Sequence, residues 1–185
     1  MRARYVWTAL ALSVAVAGCE RPAPADPEKG AAEAPVATSG AFRHQLTLDP
    51  WGYYLPAEPV VVGTYQLDHV FLGDAAEFAK WEAGQRMATF APIMLEFAPV
   101  NGGEGENAAD GVRVLPSSYE VTDDRIVFTG RHPTLGEVRF SATLDGGQLA
   151  TAKRNLGEEE APMTAVLTAG GRRASGIKLA WFGGD

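Results

Sequence analysis

Apolar and polar residues alternate with a period of two along much of the chain after residue 41. The clearest run is Val138, Phe140, Ala142 and Leu144, with polar residues between them. A period of two puts successive side chains on opposite faces of a strand, so each run predicts a half-buried strand. Similar runs begin at Phe42, Tyr65, Ile93, Tyr119, Arg125, Met163 and Ile177. Short strands separated by turn signals predict a mainly β fold, an antiparallel β-sandwich or a small β-barrel.

One segment breaks the alternation and predicts a short helix over residues 74–84. Asp74 and Glu77 have the spacing of a capping box, and Gly84 is a natural stop. Phe78 and Trp81 share one helix face and are expected to pack on the sheet. Farther along, Asp145-Gly146-Gly147 predicts a hairpin turn and residues 148–153 a strand.

The amino-terminal residues have a different pattern, which predicts how the protein is held in the cell. Arg2 and Arg4 precede an apolar run from Val6 to Val16, which is shorter than the ~20 apolar residues of a membrane span. The run ends in Val16-Ala17-Gly18-Cys19, and Cys19 is the one cysteine of the sequence.

This stretch resembles the signal peptide of bacterial lipoproteins, whose lipobox is an aliphatic residue, a small residue, Gly or Ala, and Cys. The resemblance covers residues 1–19. It implies that the Cys19 thiol receives a diacylglycerol, that the signal is cut before Cys19, and that the new amino terminus is acylated. The lipid bilayer is then a partner through acylated Cys19. Glu20 after the cysteine favours the outer membrane, facing the periplasm, over retention at the inner membrane.

The next segment, residues 20–40, is rich in Ala and Pro and almost lacks large apolar residues. Such a segment buries too little surface to offset its ordering entropy, which predicts a disordered tether. About twenty residues span roughly 25 Å as a coil and roughly 60 Å when extended. The predicted organisation is a signal peptide over residues 1–18, a lipidated cysteine and tether over 19–40, and a β-rich periplasmic domain over 41–185.

Composition excludes several classes of function. The formal net charge is −7 without a basic patch, which argues against nucleic-acid binding. The predicted domain has no cysteine, so it has neither a disulfide nor a cysteine-based metal site or nucleophile. The chain also lacks a Gly-x-Ser-x-Gly elbow, a phosphate loop and a zinc-binding helix. No cofactor, metal ligand or catalytic residue is assigned.

Two groups of residues are candidates for ligand binding. His44 and His69 both fall on the apolar faces of predicted strands, where they would line an interior or serve as core histidines. Trp51, Tyr53 and Tyr54 are the densest aromatic cluster, which would stack a ligand or plug one end of a barrel. Asp68 precedes His69 on the same strand, so their side chains are expected on opposite faces. Glu104, Glu106 and Asp110, in an acidic Gly-rich loop, would hold Ca²⁺ weakly.

The sequence favours a non-enzymatic envelope lipoprotein that binds a small apolar or amphipathic ligand, or a protein partner, in the periplasm. Two alternatives stay open. One is an accessory structural subunit of an outer-membrane assembly, and the other is a small periplasmic hydrolase with an unrecognised site.

Overall fold

A computed structural model describes residues 41–101, 111–155 and 161–184. The predicted signal peptide, Cys19, the tether and the acidic Gly-rich loop lie outside the described residues. Val36–Asp185 form one compact unit. Every member of the hydrophobic core belongs to this unit, so the unit folds around a core of its own.

Eleven strands and two helices make up the described residues. They are β1 (Phe42–Gln45), β2 (Gly52–Pro56), β3 (Val61–Val62), β4 (Tyr65–Leu72), α1 (Ala75–Glu82), β5 (Ile93–Pro99), β6 (Val112–Val114), β7 (Pro116–Thr122), β8 (Arg125–His132), β9 (Gly136–Leu144), α2 (Gly146–Arg154), β10 (Met163–Ala169) and β11 (Arg172–Phe182). No helix among them is both long and apolar enough to cross a bilayer.

The strands form one sheet in the order β1-β7-β8-β9-β10-β11-β2-β4-β5-β6, and β3 pairs beside β4. The pairs are antiparallel except β1 with β7, which is parallel. The sheet curls into an open half-barrel. The predicted mainly β, barrel-like fold with a short helix is therefore confirmed.

The chain passes from one end of the strand order to near the other at a single corner. β6 pairs with β5, and after Leu115 the chain continues as β7, which pairs with β8. Gly130 of β8 leaves room for this corner, because a Cβ there would lie 2.6 Å from the Leu115 carbonyl oxygen and 2.7 Å from Val114. A side chain at residue 130 would force the corner and β8 apart.

The concave side of the sheet is filled by the apolar residues of the alternating pattern. On β9 and β10 every second residue is buried, as the period of two predicts. The largest side chains that are fully buried are aromatic: Tyr54, Phe78, Phe97, Tyr119, Phe128 and Phe140. Tyr54 donates its hydroxyl to the Pro50 carbonyl oxygen at 2.7 Å, so its polar end is satisfied inside the core.

Helix α1 forms where the capping pattern predicts it. The Glu77 backbone N–H donates to Asp74, and the Glu77 carboxylate accepts from the Asp74 N–H, which completes the capping box. Phe78 and Trp81 are buried, and the helix packs against β1. Phe78 also contacts the Tyr119 ring of β7 edge-on, at a centroid distance of 5.2 Å.

The predicted hairpin and strand around residues 145–153 are wrong, because this segment is α2. Asp145 accepts hydrogen bonds from the N–H groups of Gly147 and Gln148, both at 2.9 Å, and so caps a helix. Leu149 and Ala152 then face the core at helical spacing. The two glycines follow the cap and do not form the turn of a hairpin.

The sequence predicts that Tyr65, Leu67, His69 and Phe71 share one face of β4. This prediction is wrong, because β4 contains a β-bulge. Leu67 pairs with Phe97 and His69 pairs with Glu96, so Asp68 is an extra residue. The alternation shifts there by one position. Leu67 stays in the core with Val70 and Leu72, while His69 and Phe71 lie on the opposite face.

The segment after β1 is fastened to the turn between β7 and β8 by one carboxylate. Asp123 accepts from the Thr47 hydroxyl, and from the backbone N–H groups of Thr47 at 2.7 Å and Leu48 at 3.1 Å. These hydrogen bonds, that of the Thr47 side chain first, lower the pKa of Asp123 below its ordinary value. The lowered pKa means that the ionised carboxylate favours the folded state.

We expect the free energy of unfolding of Asp123→Asn to fall less steeply than that of the wild type as the pH is lowered into the acid range. The pKa of Asp123 is lower in the folded state, so its contribution is complete above the unfolded pKa of ~3.9 and is lost as the pH falls through the folded value. Urea unfolding at several pH values from ~5 to ~3 measures this. The wild type should lose stability more steeply than the variant, with exposed Glu58→Gln as the control. Equal slopes for Asp123→Asn and wild type would contradict the proposed role of this carboxylate.

Candidate functional site

The predicted aromatic cluster is divided between two sides of the sheet. Tyr54 is a core residue with no exposed surface. Tyr53 lies on the outer face, 5.1 Å from the His69 ring and 5.4 Å from the Phe71 ring. Trp51 is 39% exposed, and its carbonyl oxygen accepts a hydrogen bond from Trp181. The three aromatic residues therefore do not share one surface.

The two candidate histidines belong to separate clusters on different strands. His69 lies on β4, with Nδ1 2.8 Å from the Asp68 carboxylate and Nε2 3.9 Å from Glu96. Glu96 also accepts from Arg113 at 2.7 Å. The expectation that Asp68 and His69 point to opposite faces is wrong, because the bulge turns Asp68 toward the imidazole.

The His69 cluster is a chain of charged and polar groups that satisfy one another. A carboxylate on Nδ1 orients an imidazole, as it does in many hydrolytic sites. In the ranges that the structure describes, however, no serine or threonine hydroxyl bonds His69, and Ser117 donates instead to the Thr129 carbonyl oxygen. These ranges also contain no group of three or more His, Cys, Asp and Glu side chains that could hold a metal ion.

His44 instead joins β1 to α1. Its Nδ1 lies 2.9 Å from Glu82 Oε1, and its ring stacks on Phe78 at a centroid distance of 5.5 Å. The same Glu82 oxygen accepts from the Tyr119 hydroxyl at 3.1 Å. Burial and the charge of Glu82 raise the pKa of Tyr119, so that hydroxyl stays protonated and remains a donor. Glu82 thus fastens the end of α1 to two strands at once.

A groove of 540 Å³ lies between α1 and the segment that leads to β5. This volume is within the range of roughly 300–1,000 Å³ that is usual for small-molecule sites. The lining combines apolar side chains with a few polar ones. Its residues are Glu77, Lys80, Trp81, Gly84, Gln85, Arg86, Met87, Phe90 and Pro92.

The apolar part of the groove includes one side chain that is well exposed. Met87 is 57% exposed, whereas Phe90 is half-buried against Phe71, at a ring distance of 5.7 Å. Methionine is flexible and polarisable and adapts to ligands of varied shape. Phe90 and Phe71 connect the groove to Tyr53 and His69 on the outer face of the sheet.

Trp81 contributes a buried donor. Its side chain is 6% exposed, and among the residues that the structure describes its Nε1 has no hydrogen-bond partner. An unsatisfied buried donor costs about 1–3 kcal/mol, so native proteins rarely keep one. The nitrogen itself has almost no exposed surface, so a molecule in the groove does not reach it without a rearrangement of the ring.

Arg86 contributes a cation that two aromatic rings hold in place. Its guanidinium carbon lies 4.3 Å from the centre of the Phe42 ring and 5.8 Å from that of Trp81. Its Nε donates a long hydrogen bond, 3.4 Å, to the Trp81 carbonyl oxygen. Neither Arg86 nor Lys80 forms an ion pair with a carboxylate of the described ranges. Glu77, the one acid of the lining, is bound to the Asp74 N–H.

Sequence reasoning assigned Trp81 to the core and did not find this site. The groove depends on how residues 84–92 return over α1 before β5 begins, and the pattern of the sequence does not determine that path. One signal was present in the sequence. Met87 and Phe90 lie in a segment without apolar periodicity, so these large apolar residues belong to no predicted strand or helix.

Comparison of the chain with protein-family models, with curated proteins and with solved structures finds no match. The function therefore has to be inferred from the geometry of the described residues.

We expect Trp81→Phe to destabilise the Val36–Asp185 unit by no more than Trp181→Phe, although Trp81 is the more buried residue. The change at residue 81 loses ring contacts but also removes an unpaired donor worth about 1–3 kcal/mol. The change at residue 181 removes a donor that is paired with Trp51 at 3.0 Å. Urea unfolding followed by circular dichroism compares the two. A loss above ~2 kcal/mol for Trp81→Phe alone would show that its N–H has a partner in solution.

Proposed function

We propose that this chain is a lipid-anchored envelope protein that binds a small amphipathic molecule in the groove between α1 and residues 84–92. The observation that carries the proposal is the composition of this groove. It joins apolar surface, at Met87 and Phe90, to two cations, Lys80 and Arg86, that form no ion pair in the described ranges. A molecule with an apolar tail and a polar head complements both parts.

The arrangement favours binding over catalysis. A reaction needs a nucleophile, an acid or a base that converges on one point of the ligand. The polar groups that line the groove are two cations, an amide, an indole N–H and a carboxylate that already accepts a hydrogen bond. These groups hold and orient a ligand, but they include no activated nucleophile.

The anchor and tether belong to the same proposal and come from the sequence. The lipobox-like stretch at Cys19 supports a position at the membrane, on the periplasmic side. An anchored protein that collects an amphipathic molecule works close to the surface where such molecules concentrate. The two other functions that the sequence leaves open, a structural subunit and a hydrolase, stay predictions.

The apolar part of the groove predicts binding that strengthens with the length of the tail. Each buried methylene contributes about 0.8 kcal/mol, so hexanol, octanol and decanol should bind the Val36–Asp185 unit with affinities that rise about threefold to fourfold per methylene. Isothermal titration calorimetry measures this series. Alcohols have uncharged heads, so the experiment tests the tail alone.

Met87→Ser provides the test of location. Met87 is exposed, so the fold should tolerate the change, while the affinity for decanol should fall about threefold to tenfold with the lost apolar contact. Phe182→Ser is the matched control, because Phe182 is 46% exposed and does not line the groove. Equal losses in the two variants, or no increase in affinity with tail length, would reject the groove as the binding site.

The anchor is tested in the full chain by Cys19→Ser. A serine has no thiol to accept the diacylglycerol, so the variant should remain an unprocessed precursor without acyl chains. Incorporation of labelled fatty acid and the intact mass of the purified protein measure the two outcomes. Normal processing and unchanged incorporation of the label would overturn the lipoprotein assignment and leave the groove proposal intact.

A further inference from the structure

The charges around the groove distinguish it from the rest of the molecule. The sequence as a whole carries a formal net charge of −7. The groove lining has two cations, Lys80 and Arg86, against the one carboxylate of Glu77. A cationic lining on an acidic protein favours a ligand of negative charge.

Arg86 is prepared for an oxyanion by its position. The guanidinium carbon lies 4.3 Å from the centre of the Phe42 ring, and Nε donates to the Trp81 carbonyl oxygen, so two contacts hold the group in place. The terminal nitrogens have no hydrogen-bond partner in the ranges that the structure describes. A guanidinium held in this way presents two parallel N–H groups, the geometry that binds a carboxylate or a phosphate through two oxygens.

No carboxylate of the described ranges forms an ion pair with Arg86. Glu82, the last residue of α1, has its Oε1 on His44 and Tyr119. Glu77 accepts from the Asp74 N–H in the capping box. Both carboxylates are thus engaged in holding α1.

We propose that the groove selects a single-chain amphiphile whose head is an oxyanion, a carboxylate or a phosphate monoester. Arg86 binds the head through its terminal nitrogens, Lys80 donates to it, and Met87 and Phe90 cover the tail. The inference rests on the proposed function and adds the chemical class of the ligand.

The experiment keeps the tail constant and changes the head. Decanol, decanoate, decyl phosphate and decyltrimethylammonium are titrated into the Val36–Asp185 unit below their aggregation limits, and acetate and inorganic phosphate serve as heads without tails. Decanoate or decyl phosphate should bind at least about tenfold more tightly than decanol, as charge-assisted hydrogen bonds predict. The tighter of the two identifies the head.

Arg86→Gln should reduce the affinity for the anionic amphiphiles about tenfold to a hundredfold and reduce the affinity for decanol far less, because an alcohol head carries no charge. Arg86→Lys should restore part of the loss, since lysine keeps the charge but not the two-point geometry. Arg43→Gln is the control, because Arg43 is exposed on β1 and does not line the groove. An unchanged circular dichroism spectrum and an unchanged urea midpoint show that the fold of Arg86→Gln is intact.

The outcomes separate the two proposals. If the alcohols bind but the anions bind no more tightly, or Arg86→Gln has no effect, the oxyanion inference is wrong and the proposed function stands. Equal or tighter binding of decyltrimethylammonium also overturns the inference. If inorganic phosphate binds as tightly as decyl phosphate, the site takes a free anion and the tail assignment is wrong. If no compound with a tail binds, both the oxyanion inference and the proposed function are wrong.

Discussion

The contact of Glu82 with His44 and Tyr119 is the constraint on which the rest of this structure depends. The chain turns at Leu115 from β6, at one end of the strand order, to β7, near the other end. The parallel strand β1 lies beside β7 and ends the sheet there, and α1, which follows β4 and precedes β5, packs against β1. One carboxylate oxygen, 2.9 Å from the imidazole and 3.1 Å from the phenol, fixes the carboxyl end of this helix. An eight-residue helix is too short to be stable alone, so these side-chain contacts determine where it lies.

The groove is a consequence of that position. Because Glu82 faces β1 and β7, Trp81 beside it packs into the core, edge-on to Phe42 at 6.2 Å. The chain then leaves the helix at Gly84, which has a positive φ of 89° that favours glycine, and returns toward β5 with Arg86 above the Phe42 ring. The same aromatic residues that attach α1 to the sheet therefore also position the cation. The side chains of one short segment thus both attach α1 to the sheet and form the proposed ligand site.

The sequence was sufficient for features that depend on local pattern and insufficient for those that depend on register. Alternation predicted β1, β4, β5 and the strands from β7 to β11, and the Asp74–Glu77 spacing predicted α1, because each signal lies within a few residues. The strand predicted over residues 148–153 failed because Asp145-Gly146-Gly147 suits both a hairpin and a helix cap, and packing of Leu149 and Ala152 decides between them. The bulge at Asp68 has no local signal, since it arises from the pairing of β4 with β5. For this reason the approach of Asp68 to His69 was not predicted, nor was the groove, which joins α1 to a segment without regular structure.

The charges that line the groove, more than the net charge of the protein, determine which ligand it binds. At physiological ionic strength the screening length is about 8 Å, so exposed charges beyond that distance have little influence on a bound ion. The net charge of −7 therefore slows the approach of an anion more than it weakens its binding, and the groups that line the groove determine affinity. Among these, Glu77 is hydrogen-bonded in the capping box, while the terminal nitrogens of Arg86 have no partner within the described ranges. An uncharged head would leave the guanidinium without a counterion, and a cationic head would add repulsion to the unpaired donors. An oxyanion is the one head that satisfies the charge and the hydrogen bonds together.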